Sequence, residues 1–270
     1  MNRNKNKAVG EALDLVTTIP NNSPISITGS DNFQEIAGSK VVVISVGAGK
    51  IVTGREDLLP YNIPIVKELS KEIKKYANNA KVVVVTNPVD VITYYILKET
   101  GLPQENVIGM GSSLDSSRFQ YLISKILGIN QSKIESIVLG EHGNSMVPIF
   151  STARFDGKPI NLDENQMFQI ATEVRNYWKP LKEFKGASVF GAAKHTYDIV
   201  KAIVKNEKLR IPSSVRVNGE YGLSDVCLGV PVIIDKNGAV IEEIDLNGTE
   251  LNSLKTSGEI IKSNIGKIAV

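Results

Sequence analysis

Two stretches, Lys40-Val-Val-Val-Ile-Ser-Val46 and Lys81-Val-Val-Val-Val-Thr86, are β-branched and apolar almost throughout instead of alternating. Strands of this kind are buried on both faces, as in a parallel sheet. Between them, Ile63 to Tyr76 places Ile65, Val66, Leu69 and Ile73 at helical spacing among Lys and Glu, which predicts a right-handed βαβ crossover. Asp90 to Thr100 predicts a helix stopped by Gly101 and Pro103, and Val107-Ile108 a short strand leading to Gly109-Met-Gly111. Leu114 to Leu127 carries Leu114, Phe119, Leu122, Ile123 and Ile126 on one face and Asp115 with Arg118 along its edge. A second lobe is expected to begin here.

Beyond this point the style changes. Asp163 to Trp178 and Ser188 to Lys205 read as helices, and Ser214 to Val217, Val226 to Asp235 and Ala239 to Ile244 as antiparallel strands. Asp235-Lys-Asn-Gly238 is the turn between the last two strands, and an amphipathic helix from Gly248 to Ile265 closes the chain.

Composition narrows the function classes. A chain of 270 residues that is 42% hydrophobic can bury a large core and is expected to form two lobes. Lys plus Arg, 31, barely exceed Asp plus Glu, 29, without a long basic block, so neither nucleic acid nor an anionic membrane is the expected partner. The apolar runs Val41 to Val46 and Val82 to Val85 are too short for a bilayer, and Met1-Asn-Arg-Asn-Lys-Asn-Lys7 is too polar for a signal peptide. A soluble cytoplasmic protein with a small-molecule partner is expected. Cys227, the one cysteine, excludes an intrachain disulfide and a multi-cysteine metal site, and its apolar run marks it as a buried small hydrophobe.

The chemistry concentrates in Leu139-Gly-Glu-His-Gly-Asn-Ser145, where one of two histidines sits in a glycine-bounded turn after a β-rich run. His142 can serve there as a general acid/base near neutral pH. Asp115 and Arg118, three apart on the predicted helix, place a carboxylate and a guanidinium on the face that could meet the imidazole. The combination suggests redox chemistry on a small carboxylate. His195 lies in a helix-like stretch and reads as non-catalytic, and the spacing of His and Cys gives metal binding no support.

Six strings in order, Val41-Val-Ile-Ser-Val-Gly-Ala48, Gly54-Arg-Glu-Asp-Leu-Leu59, Val84-Val-Thr-Asn-Pro-Val-Asp90, Val107-Ile-Gly-Met-Gly111, Leu114-Asp-Ser-Ser-Arg-Phe119 and the His142 turn, resemble the NAD-dependent lactate/malate dehydrogenase family, malate-type members most. The resemblance implies an α/β fold: an N-terminally truncated Rossmann doubly wound parallel sheet over residues 1–111, with an α+β catalytic domain over 112–270. It implies that His142, paired with Asp115, exchanges a proton with the substrate oxygen while a hydride moves between the 2-oxo carbon and nicotinamide. Arg118 would grip the substrate carboxylate side-on, since a guanidinium offers two parallel donors. Arg55, at the foot of a lid, would approach the polarised carbonyl, Asn87 would hydrogen-bond substrate, and Ser188 would be a small pocket residue beside it. Gly47, Asn62, Val85, Thr86 and Asn87 would border the cofactor, NAD, with NADP left open. The substrate is expected to be malate or oxaloacetate, with lactate or another 2-hydroxy acid as the alternative, in a homodimer or homotetramer.

The chain also departs from the family pattern. The lid Ala48-Gly-Lys-Ile-Val-Thr-Gly-Arg55 lacks the arginine that selects malate, and either Lys50 or Gly49 stands at that position. Pro60 and Pro64 are expected to interrupt the helix after the lid. Asn144 stands where the family has aspartate. There is no G-x-G-x-x-G turn, and Met1 to Ala8 resembles the segment after the second strand, so roughly 30 residues of βαβ are expected upstream of an internal start. A second expectation is a non-catalytic binding or oligomerisation remnant that cannot hold NAD, and a third, weaker one is an NAD-dependent glycoside hydrolase. A chain without those strands is expected to expose the edge of Val41 to Val46 and to be poorly soluble.

Overall fold

The computed structural model of the protein describes residues 1–49, 54 and 56–268. Helix α1 (Lys5–Val16) is followed by strand β1 (Val41–Ile44), helix α2 (Leu59–Tyr76), strand β2 (Lys81–Val84), helix α3 (Val89–Thr100), strand β3 (Val107–Gly109) and helix α4 (Gly111–Leu127). Then come β4 (Ile134–Leu139), β5 (Val147–Phe155), β6 (Lys158–Pro159), α5 (Glu164–Asn176), α6 (Trp178–Lys185), α7 (Phe190–Lys205), β7 (Leu209–Asn218), β8 (Ser224–Asp235), β9 (Gly238–Ile241) and α8 (Gly248–Ile265).

The predicted parallel strands are present. Val41 to Ile44 pair in parallel with Lys81 to Val84, and Val82 to Val84 pair in parallel with Val107 to Gly109. Val82, Val83 and Val84 are fully buried, as unbroken β-branched runs require. The sheet does not stop at β3: Gly109 meets Ser214 of β7 antiparallel, and the order is β1-β2-β3-β7-β8-β9. The two halves of the chain therefore share one mixed sheet and one hydrophobic core among the described residues. A second sheet, β4-β5-β6, packs with α4 and α5 around Phe119, Ile123, Ile170 and Val174.

Helix α3 is apolar nearly all round and correspondingly central, with Ile92, Tyr95 and Ile96 fully buried. The prolines do not interrupt α2, contrary to the sequence expectation. Pro60 lies in its first turn, where the backbone N–H has no intrahelical acceptor, and Pro64 forfeits a single bond one turn later. Leu59, Asn62, Val66, Ser70 and Ile73 are buried along one face, so tertiary packing outweighs that loss. At the sheet's edge, β1 pairs on one side only among the described residues, and Val43 is exposed. Among those residues no helix is long and apolar enough to cross a membrane.

Candidate active site

The His142 turn connects β4 to β5 and is fastened on three sides. Gly140 exchanges both backbone hydrogen bonds with Gly229 of β8, at 2.8 and 2.9 Å. Its φ of +82° is a left-handed conformation, and a Cβ there would stand 2.7 Å from Ser257 Oγ of α8. Ser257 Oγ accepts from the Glu141 backbone N–H at 2.8 Å. Glu141 Oε2 in turn accepts from the Ser145 backbone N–H at 3.1 Å and from its hydroxyl at 2.6 Å. On the third side, the His142 N–H donates to Asp90 Oδ2 of α3 at 2.8 Å.

That scaffold holds the imidazole against α4. His142 Nδ1 lies 2.5 Å from Asp115 Oδ2, and Arg118 NH1 donates to Asp115 Oδ1 at 3.1 Å. All three residues are buried, Asp115 completely. The Asp115–Arg118 edge of the predicted amphipathic helix is thus an interior polar seam. A carboxylate on Nδ1 fixes the tautomer and favours the imidazolium, leaving Nε2 as the nitrogen for exchange with a ligand. The first turn of α4 admits the ring only because residue 111 has no side chain: a Cβ at Gly111 would be 2.6 Å from His142 Cβ and Cγ. The Tyr177 ring lies 5.3 Å from the Arg118 guanidinium carbon, in cation–π range.

Asp90 carries no catalytic signal in the sequence, since an acidic residue in a helix's first turn is commonplace. Here it is 2% exposed, and burial pushes its carboxyl up to about 7, opposed by Ser214 and the His142 N–H. Its Oδ1 has no hydrogen-bond partner among the described residues.

A cavity of about 340 Å³ opens beside His142, lined also by Arg118, Asn87, Ser188 and Val85. These positions, foreseen from the sequence, do converge. The cavity's apolar side, Val85, Val89, Met110, Leu114 and Ala192, can face a flat ring. Asn87 Oδ1 is buried without a hydrogen-bond partner among the described residues, an acceptor that a bound amide or hydroxyl would satisfy.

Asn62 is buried and oriented, despite its flanking prolines. Its Oδ1 accepts from the Ala48 N–H at 3.0 Å and its Nδ2 donates to Asn87 O at 2.7 Å, linking the end of the first strand segment to the Asn87 corner. Thr86 does similar work, its hydroxyl donating to Val46 O at 2.8 Å. Gly47 is exposed just beyond β1. Lys50 and Arg55 lie outside the described residues. Asn144 is exposed.

His195 does not line the cavity. Its Nε2 is 2.9 Å from Ser117 Oγ, and burial lowers its pKa. Cys227 is fully buried, with its thiol pKa raised by burial. No group of three or more potential ligands for a metal occurs among the described residues. Trp178 and Lys182 of α6 also line the cavity, and nothing in the local sequence distinguishes them from residues of a solvated helix.

Residues 1–109 match the family model for the lactate/malate dehydrogenase NAD binding domain, and residues 112–270 match that for its alpha/beta C-terminal domain. Malate dehydrogenase of Bacteroides fragilis is 40% identical over 250 residues, 89% of this chain and 80% of its own length. The structure of malate dehydrogenase from Aeropyrum pernix superposes with a TM-score of 0.91 at 33% identity, over 99% of this chain and 89% of that one. Lactate dehydrogenase of Cryptosporidium parvum, solved with lactic acid and nicotinamide adenine dinucleotide, gives 0.94 at 31% identity, over 98% and 88%. With both family models matched in order across almost all of its length, the chain belongs to the lactate/malate dehydrogenase family.

Proposed function

We propose that the protein interconverts malate and oxaloacetate with NAD, using His142 as the general acid/base. The buried Asp115–His142 pair opening on the Arg118 cavity carries this reading. When bound, NAD supplies a hydride donor or acceptor for C2 of the substrate. Asn87 and Val85, which line the cavity, would border it, Asn62 and Thr86 would brace the chain beside them, and Gly47 is assigned to it by family resemblance.

In the reducing direction, negative charge develops on the carbonyl oxygen and His142 Nε2 donates a proton to it. The product is the 2-hydroxy acid, with His142 left neutral and still anchored through Nδ1. Oxidation runs the same proton back. Arg118 orients the C1 carboxylate through its two-pronged face, and Asn87 binds the reacting oxygen. Arg55 is assigned to the polarised carbonyl and Lys50 to the lid by family resemblance alone. Ser188 keeps the substrate side of the cavity small.

A homodimer or homotetramer accompanies this reading, supported by exposed apolar side chains on α1 and α7, Leu13, Leu15, Phe190 and Tyr197 among them. Cytoplasmic placement and the domain boundary at 111/112 are proposed on the family pattern. Mixing the protein with NADH and oxaloacetate tests the function. Turnover lowered roughly 10²–10⁴-fold in His142→Ala supports it, and no turnover by the parent protein overturns it.

A further inference from the structure

A dicarboxylate substrate requires a second cation in addition to Arg118. Among the described residues lining the cavity there are two cations, Arg118 and Lys182, and no carboxylate. Lys182 comes from α6, Trp178-Lys-Pro-Leu-Lys-Glu-Phe-Lys185, which carries three lysines at intervals of three. Their environments differ. Lys179 lines the neighbouring cavity behind the His142 turn. The Lys185 ammonium stacks 3.8 Å from the centre of the Phe190 ring. Of the three, Lys182 is the one that lines the cavity shared by Arg118, Asn87 and Ser188.

Trp178 and Lys182, four apart, share one face of the helix, and both line the cavity. The Lys182 ammonium lies 5.6 Å from the centre of the Trp178 ring, within range of a cation–π attraction. An ammonium on a flexible stem suits the distal carboxylate of a substrate whose other end is fixed, because it can follow the anion without bidentate geometry. The two cations that line the cavity differ in kind: Arg118 is a planar fork and Lys182 a point charge on a flexible stem.

We propose that Lys182 binds the second carboxylate of the substrate and so selects dicarboxylic over monocarboxylic 2-hydroxy acids. The proposal rests on the dehydrogenase reading above. It places selection on α6 instead of the Ala48–Arg55 lid. The cation is drawn from the body of the second half of the chain, so charge recognition does not depend on the lid's sequence.

Two measurements test it. The first is the ratio of kcat/KM for oxaloacetate to that for pyruvate, expected to fall at least tenfold, about 1.4 kcal/mol, in Lys182→Gln and to be retained in Lys182→Arg. The second needs no turnover: with NADH bound, L-malate and L-lactate are both already reduced, so calorimetric titration reports binding alone. The parent is expected to bind malate more tightly, and Lys182→Gln to lose at least tenfold of that preference. A preference unchanged in Lys182→Gln overturns the proposal, most directly if Lys50→Gln abolishes it. If no 2-oxo acid is turned over yet the malate preference depends on Lys182, the dehydrogenase reading fails and the Lys182 assignment stands.

Discussion

Asp90→Asn separates the charge of a buried carboxyl from its hydrogen bond. Asparagine can still accept the His142 N–H through its side-chain oxygen, the role Asp90 Oδ2 fills at 2.8 Å, but it cannot ionise. In the folded protein burial raises the Asp90 pKa from 3.8 to about 7. Between those values the folded chain holds a proton that the unfolded chain has released, so stability falls as pH rises. The contribution is fully present below 3.8, is lost as pH climbs through about 7, and changes no further above that. Three units at 1.36 kcal/mol each amount to about 4 kcal/mol, of which about 3 kcal/mol falls above pH 5. Urea unfolding of parent and variant, at one protein concentration and at pH 5 and pH 8, measures this directly. Other titrating groups cancel in the difference. The stability of Asp90→Asn relative to the parent should improve by about 3 kcal/mol between the two pH values. A constant difference, or a shift in the other direction, would mean that Asp90 is already ionised in the fold and that the burial argument is wrong.

Other substitutions probe the scaffold. Gly111→Ala drives a methyl to within 2.6 Å of the His142 side chain, so kcat should fall at least tenfold, with a stability loss of about 1–3 kcal/mol by chemical denaturation. Ser257→Ala removes the acceptor for the Glu141 N–H and should cost about 1–3 kcal/mol, read from the urea midpoint. Arg118→Lys replaces a planar fork with a point charge next to buried Asp115; steady-state kinetics should show kcat/KM down roughly tenfold or more.

The elements with strong local signals are those that needed no partner to identify them. The β-branched runs gave β1 and β2, and Gly248–Ile265 matches its predicted bounds, where Asn247 and Glu250 form a reciprocal cap. Helix α1 and strand β5 were not foreseen. Helix α1 offers few buried positions, Ala8 and Ala12, and β5 carries Pro148 and an irregular burial pattern, so neither has a clean period. The continuous stretch assigned to one helix, Asp163 to Trp178, ends at Asn176, and α6 begins at Trp178. Pro64 misled in the opposite sense, because a local rule about donors was outweighed by a buried face about four turns long.

The candidate site divides along the same line. Residues whose chemistry is unusual for their setting, such as a histidine between glycines or an arginine beside an aspartate on an apolar helix, could be singled out before any contact was known. Residues that act by where the fold brings them could not. Asp90 reaches the His142 backbone from another helix, 52 positions away, and Ser257 reaches Glu141 from 116 positions away. Both act through main-chain groups, which leave no mark on the sequence of the turn they hold. The pairing of β3 with β7 makes this possible: it joins the strand leading into α4 to the hairpin whose Gly229 holds Gly140. His142 is therefore positioned by the continuity of the mixed sheet across the two halves. A substitution that loosens the β3–β7 junction, just before the cavity-lining Met110 and Gly111, should disturb the His142 turn before it disturbs the Asp115–Arg118 seam, which is held within a single helix.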